Sequence, residues 1–377
     1  MVIDLSRFIF IDNHAHSLLK RNRELDLLAF RQCLSESKSL TMLQDHLATN
    51  VFYLDLIAKL KDFLGVDSEE ELIKFRSEQS AKAYVNILFD DVSLAALMVD
   101  DGYRTAEMMS CDELSRLCER PVYRVCRLEP LLESAFDSAS SFAEMSAAFE
   151  QKLKKAFAEK IVAFKTIAAY RGGLQLTEPS KLAATASFDQ QKLNAPKPLR
   201  ITASPMYHYF LQEAFSFAAQ TKLPVQVHVG IGDDDSDLRL ANPLYMRNWL
   251  SERKQAKPVL LLLHCFPYVK EAACLSALYA HVYMDLSLSM IQAAPLGDAM
   301  LREALAVAPT SKILAGTDGH SMPESHWYGV VSWRRALSKA LTELVEASYI
   351  DYEQCGQIAA AILHNNARRL YNLEGLL

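Results

Sequence analysis

Eight apolar runs recur along this chain of 377 residues, near 8–16, 93–100, 121–129, 160–168, 224–231, 258–266, 281–288 and 312–318. Between them lie stretches with apolar residues at i, i+3, i+4 and i+7, such as Phe142 to Phe157, Tyr207 to Gln220 and Leu296 to Val307. Buried strands alternating with amphipathic helices favour a parallel sheet with right-handed crossovers. Eight is the number at which such a sheet closes, so the expected fold class is α/β, a (β/α)8 TIM barrel forming one domain over 1–377. The first crossover is far longer than the others: Leu18 to Gln79 reads as several amphipathic helices broken around Gly65-Val66-Asp67-Ser68, with Glu69, Glu70 and Glu71 as an acidic first turn. This predicts a helical insertion over about 18–80, leaving the C-terminal rim of the first strand either as a lid or as a subunit contact in a homo-oligomer. Residues 174–199 read as a further long loop, and helices over about 327–377 are expected to close the barrel.

The polar residues that end these runs carry the chemistry. His14-Ala15-His16 closes the first run, and a strand repeats every two residues, so both imidazoles point to one face as half of a metal site. In Pro224-Val225-Gln226-Val227-His228 the alternation places His228 opposite Val225, Val227 and Val229, hence inward. The run Pro258 to Leu263 is continuously apolar, as in a strand buried on both faces, and it ends in His264. Lys312-Ile313-Leu314-Ala315-Gly316-Thr317 ends in Asp318, and Lys160-Ile161-Val162-Ala163-Phe164 ends in Lys165. Any one of these fits a hydrogen-bonded core residue or a solvated charge. Together they fit a metal centre, because parallel strands gather their C-terminal ends at one rim.

Composition agrees with small-molecule chemistry. A formal net charge of −6 with 23% charged residues gives no broad pull toward nucleic acid or anionic membrane. No apolar stretch approaches the ~20 residues of a membrane span, and the first strand begins within ten residues of Met1, so a cytoplasmic protein without a signal peptide is expected. Seven scattered cysteines without a CxxC pair argue against disulfides or a zinc knuckle, and Cys265 should face away from His264.

The set His14, His16, Lys165, His228, His264 and Asp318 resembles the amidohydrolase superfamily of metal-dependent hydrolases. The segments Phe164 to Leu174, His228 to Asp233, Leu238 to Pro243, His264 to Tyr268, Met284 to Ser287 and Asp318 to His320 resemble the amidohydrolase-related branch that includes a nodulin-like domain fused to glutamine synthetase-like proteins. The resemblance implies that His14, His16 and Asp318 bind a buried metal, zinc before others. It implies that His228 and His264 bind a second, with a carbamylated Lys165 bridging the two, or that His228 joins a single-metal site. It further implies hydrolysis of a C–N (amide) or ester bond, with Asp318 as general base and the metal, joined by His264 where it is not itself a ligand, polarising the carbonyl. Arg127 and Arg171 are candidates for clamping a substrate carboxylate, since guanidinium pairs bidentately with carboxylate. Tyr170, His320, His326 and Trp327 are expected in rim loops lining the pocket. Metal-dependent decarboxylation of an aromatic or unsaturated acid, or a non-catalytic metal-stabilised regulatory barrel, are the alternatives.

Overall fold

The computed structural model describes residues 3–196, 198–252 and 256–373. All eight expected strands form: β1 Phe10–Ala15, β2 Leu94–Asp100, β3 Val122–Arg127, β4 Ala163–Thr166, β5 Val225–Val229, β6 Leu260–His264, β7 Val282–Asp285 and β8 Ile313–Leu314. They make one sheet in the order β1 to β8, in which β1 pairs in parallel with β2, β3 with β4, β4 with β5, β5 with β6 and β6 with β7. Every residue of β1, β4, β5 and β6 is buried, as expected for strands covered on both faces.

The chain divides into two compact units. The first comprises 1–123, 232–234 and 285–377 and carries β1, β2 and β8 with the insertion. The insertion contains helices Leu27–Gln32, Val51–Leu64, Glu69–Glu78 and Ala81–Asp91. Its break falls where the sequence placed it. Gly65, at φ +67°, ends one helix, and the Ser68 side chain accepts from Glu71 N–H to cap the next. Arg76 of the third helix is fully buried beside Glu324 (Nε to Oε1 2.5 Å), and Tyr84 of the fourth donates to the same oxygen at 2.9 Å. The last segment of the unit forms a helix over Pro323–Glu346, followed by Tyr352–Ala360 and Asn366–Leu370.

The second unit comprises 124–231 and 235–284 and carries β4 to β6. Residues 174–199, read as a loop, instead contain a helix over Lys181–Asn194. Only Ala184 and Phe188 of its fourteen residues are buried, which is too sparse an apolar stripe to announce a helix; the Ser180 side chain caps it by accepting from Ala183 N–H.

Candidate metal centre

In the first unit the ends of β1 and β8 are laced together by backbone hydrogen bonds. Asn13 N–H donates to Ala315 O at 3.0 Å, Asp318 N–H to His14 O at 2.8 Å and His16 N–H to Gly319 O at 2.8 Å. Asp12, fully buried, fixes the turn by accepting from Thr317 N–H at 2.8 Å and Thr317 Oγ1 at 2.5 Å. A side chain at Gly316 would put its Cβ 2.8 Å from Asn13 Nδ2 and 3.1 Å from His14 N, so the chains can approach this closely only at glycine. Asp318 itself adopts φ +54°, a left-handed conformation uncommon outside glycine.

This lacing brings three donor atoms together. Nε2 of His14 lies 3.0 Å and Nε2 of His16 3.3 Å from the same Oδ1 of Asp318, with the two rings edge to face at 5.3 Å. Zinc bonds of about 2.1 Å in a tetrahedron separate neighbouring ligand atoms by about 3.4 Å, so the spacing fits a common divalent cation. The other nitrogen of His16, Nδ1, lies 3.3 Å from Asp100 O and 3.9 Å from Asp100 Oδ2, the kind of partner that orients a ligating imidazole. His14 is fully buried and His16 and Asp318 nearly so.

The wall of this half-site is also defined. Tyr103 packs its ring 4.9 Å from His16 and 5.9 Å from His320. His320 Nδ1 lies 3.0 Å from Ser321 Oγ, and burial, partly opposed by Asp318, pushes its pKa down to about 4. Glu36 of the insertion is driven the other way, to about 8, by burial and then by the like charges of Asp318 and Asp233.

In the second unit Lys165, His228 and His264 are buried at the ends of β4, β5 and β6. The rings of His228 and His264 lie 4.5 Å apart, and Tyr170 covers His228 at 4.5 Å. His264 has φ +67° and Cys265 φ +59°, so the chain turns sharply at the histidine; the Cys265 thiol donates to Leu262 O at 3.3 Å. The loops after β5 and β6 lie against each other: Ile231 N–H donates to Phe266 O, and a Cβ on Gly230 (φ +74°) would meet that oxygen at 2.1 Å. Beyond Lys165, the buried Glu129 accepts from Thr166 Oγ1 (2.6 Å), Ile167 N–H (3.0 Å) and Tyr207 OH (2.7 Å), pinning the exit of β4.

The substrate-binding candidates fare differently. Arg127 ends β3 in register with Lys165. Arg171 sits in a short 3-10 helix, Ala168–Arg171, with its guanidinium 3.8 Å from the Glu133 carboxylate. His326 and Trp327 are not in a rim loop: both lie in the first turns of the helix over Pro323–Glu346. His326 is fully buried between Phe89 (5.6 Å) and Asp12 (3.9 Å), and Trp327 donates to Asp91 at 2.7 Å. Pro323 occupies the start of that helix, so the sequence placed its boundary several residues late. Asp100, Tyr103, Glu36 and Glu129 were not singled out by the sequence; the acidic residue closing β2 was the one visible hint.

The amidohydrolase family model matches residues 123–373, about two thirds of the chain, leaving His14 and His16 outside the match. Protein fluG of Emericella nidulans is 26% identical over 97% of this chain, which spans about half (46%) of that relative's length. Among solved structures, a protein from Lactobacillus casei ATCC 334 superposes with a TM-score of 0.88 at 28% identity over 100% of both chains; its assignment as a metal-dependent hydrolase is itself an inference. A uronate isomerase from Thermotoga maritima superposes at 0.68 and 15% identity, over 97% of this chain and 95% of that one, which speaks to the fold alone. The eight-stranded parallel α/β barrel is thus the fold, and the chain belongs to the amidohydrolase family.

Proposed function

We propose that the chain is a metal-dependent hydrolase that cleaves a C–N (amide) or ester bond of a small, carboxylate-bearing substrate, with zinc as the metal. The observation that carries this is the convergence of His14 Nε2 and His16 Nε2 on one oxygen of Asp318 at 3.0 and 3.3 Å. A barrel gathers strand ends at one mouth, so we assign His228, His264 and Lys165 to the same centre. A divalent cation held there supplies Lewis acidity that polarises a carbonyl and brings the pKa of water toward about 7. The chain's own residues do the rest. Asp318 would help hold the cation and, with its free oxygen, take the proton of the attacking water and pass it to the leaving nitrogen or oxygen. His264 steadies the carbonyl oxygen, Tyr170 holds the ring of His228 at 4.5 Å, and Arg127 receives the substrate carboxylate. Lys165 would hold the cation as a carbamate, supplying anionic oxygens where a buried ammonium beside a divalent cation is strongly disfavoured.

The test combines metal content with turnover. Protein prepared with zinc and carbon-13 bicarbonate is assayed for bound metal, for a lysine carbamate carbon by NMR of the folded chain, and against N-acyl and γ-glutamyl amides, esters, lactones and aromatic acids. Zinc-dependent release of amine or alcohol is the expected result. Release of CO2 from an aromatic acid without any amide or ester cleavage would overturn it.

A further inference from the structure

We propose that Asp12 and Thr317 are positioning residues for the metal centre: Asp12 ties together the two chain segments that carry its ligands, and Thr317 fixes the backbone on either side of Asp318. Affinity for the cation then depends on a hydrogen-bonded pair that touches neither cation nor substrate. The inference rests on the reading of His14, His16 and Asp318 as metal ligands and assigns what holds them in register.

Oδ1 of Asp12 accepts from His14 N–H at 3.3 Å and from Thr317 N–H at 2.8 Å, while Oδ2 accepts from Thr317 Oγ1 at 2.5 Å. One carboxylate thus holds the backbone of a ligand on β1 and that of the residue before a ligand beyond β8. The Thr317 hydroxyl, having donated to Asp12, accepts from Gly319 N–H at 2.9 Å, so it links Asp12 to the residue after Asp318 as well. Asp318 lies between these two anchors in a left-handed conformation, φ +54°, which a residue other than glycine keeps only where its surroundings over-determine it. Asp12 and Thr317 are both fully buried, where an acceptor stripped of its donors is costly.

The helix over Pro323–Glu346 backs the pair. His326 and Gly329, one turn apart on it, both meet this segment: a Cβ on Gly319 would stand 2.5 Å from the His326 ring, and a Cβ on Gly329 would stand 2.7 Å from Thr317 Cβ. His326 Nδ1 lies 3.9 Å from Asp12 Oδ2, and neither of its ring nitrogens has a hydrogen-bond partner among the described residues. His326 therefore serves as a packing surface behind Gly319 instead of lining the pocket. Thr317 is confined by the helix and by Asp12 together, and the 3.0 Å spacing of His14 Nε2 and Asp318 Oδ1 is set at the end of this frame. Bonds to a cation tolerate errors of only about 0.2 Å, so loosening the frame lowers affinity while the ligands themselves stay unchanged.

The experiment strips the full chain of metal and titrates it with zinc against a competing chelator. Cobalt(II) absorption gives a second readout of ligand geometry, and thermal melting is followed in parallel. Thr317→Val keeps the shape and removes one hydroxyl; it should weaken zinc binding by ~10-fold and alter the visible bands of the cobalt form. Asp12→Leu removes both acceptor oxygens and should weaken binding by ~100-fold, whereas Asp12→Asn, which keeps an acceptor for the two N–H groups, should lose ~10-fold or less. Arg76→Met, away from these hydrogen bonds in the same unit, should melt lower yet keep wild-type zinc affinity and cobalt bands. If Asp12→Leu does not fold, Thr317→Val decides the matter. Wild-type affinity and cobalt bands in Thr317→Val and the folded Asp12 variants overturn the proposal while the metal reading stands, even if their melting temperatures fall. A wild-type chain that binds neither zinc nor cobalt overturns the metal reading and this inference with it.

Discussion

Replacing Arg76 by Met should be among the most damaging single changes in the first unit. The guanidinium and the Glu324 carboxylate are both fully buried, joined at 2.5 Å, and Tyr84 OH supplies the second bond to the same oxygen. Methionine occupies much the same volume but leaves Glu324 charged in a recess lined by Phe30, Tyr84 and the start of a helix. Removing one partner of a buried pair typically costs about 3–5 kcal/mol. At about 2.1 cal/mol/K of unfolding entropy per residue, the 377 residues give about 0.8 kcal/mol/K, so the melting temperature should fall by about 4–6 °C. The double change Arg76→Met, Glu324→Leu removes both charges and should recover more than half of the loss, because desolvation and attraction disappear together. Scanning calorimetry of wild type, both singles and the double closes the cycle. A single replacement costing under ~1 kcal/mol, or a double as unstable as the sum of the singles, would show that the pair is hydrated and that the burial argument fails.

Four further outcomes are expected. Asp318→Asn should lower turnover of any substrate found by ~10²-fold or more, the usual scale for a general base; a mutant near wild-type activity in steady-state assays would move the base elsewhere. Asp100→Asn, at the far nitrogen of His16, should weaken zinc affinity by ~10–100-fold in competition with a chelator, and unchanged affinity would mean that the backbone carbonyl alone orients the ring. Gly230→Ala should destabilise by about 1–3 kcal/mol in denaturant titrations, because its Cβ would stand 2.1 Å from Phe266 O at φ +74°; an innocuous alanine would show that the two loops separate easily. His208 has its pKa lowered by burial, so the unfolded chain binds its proton more readily than the folded one. That contribution to stability is present above the unfolded value of about 6.5 and is lost as pH falls below it, and His208→Phe should flatten the slope of stability against pH between 5 and 7.

Local periodicity made the barrel legible, because each strand is an apolar run long enough to be read alone, and the His14–His16 pair follows from the two-residue repeat of one strand. Asp318 was legible only as the end of a run: β8 proper is two residues, Ile313–Leu314, and the carboxylate reaches the histidines through the lacing of Asn13 and His14 to Ala315 and Asp318. What escaped has a common cause. Arg76 and Glu324 are 248 positions apart, His16 and Asp100 84 apart, and neither lies in a pattern that names its partner. A buried arginine reads in sequence like a solvated one, and a carboxylate such as Glu36 in the run Ser35-Glu36-Ser37-Lys38 reads like any polar turn. The helix over Lys181–Asn194 was hidden for the opposite reason, since two buried residues in fourteen leave the cap rather than the stripe as its signature. The division follows from physics: a barrel's strands are specified by burial within each segment, whereas the insertion acts through single polar side chains whose partners the fold alone supplies. Polar residues whose partners lie far off in the chain, such as Arg76 with Glu324 and His16 with Asp100, therefore fall where sequence periodicity says least.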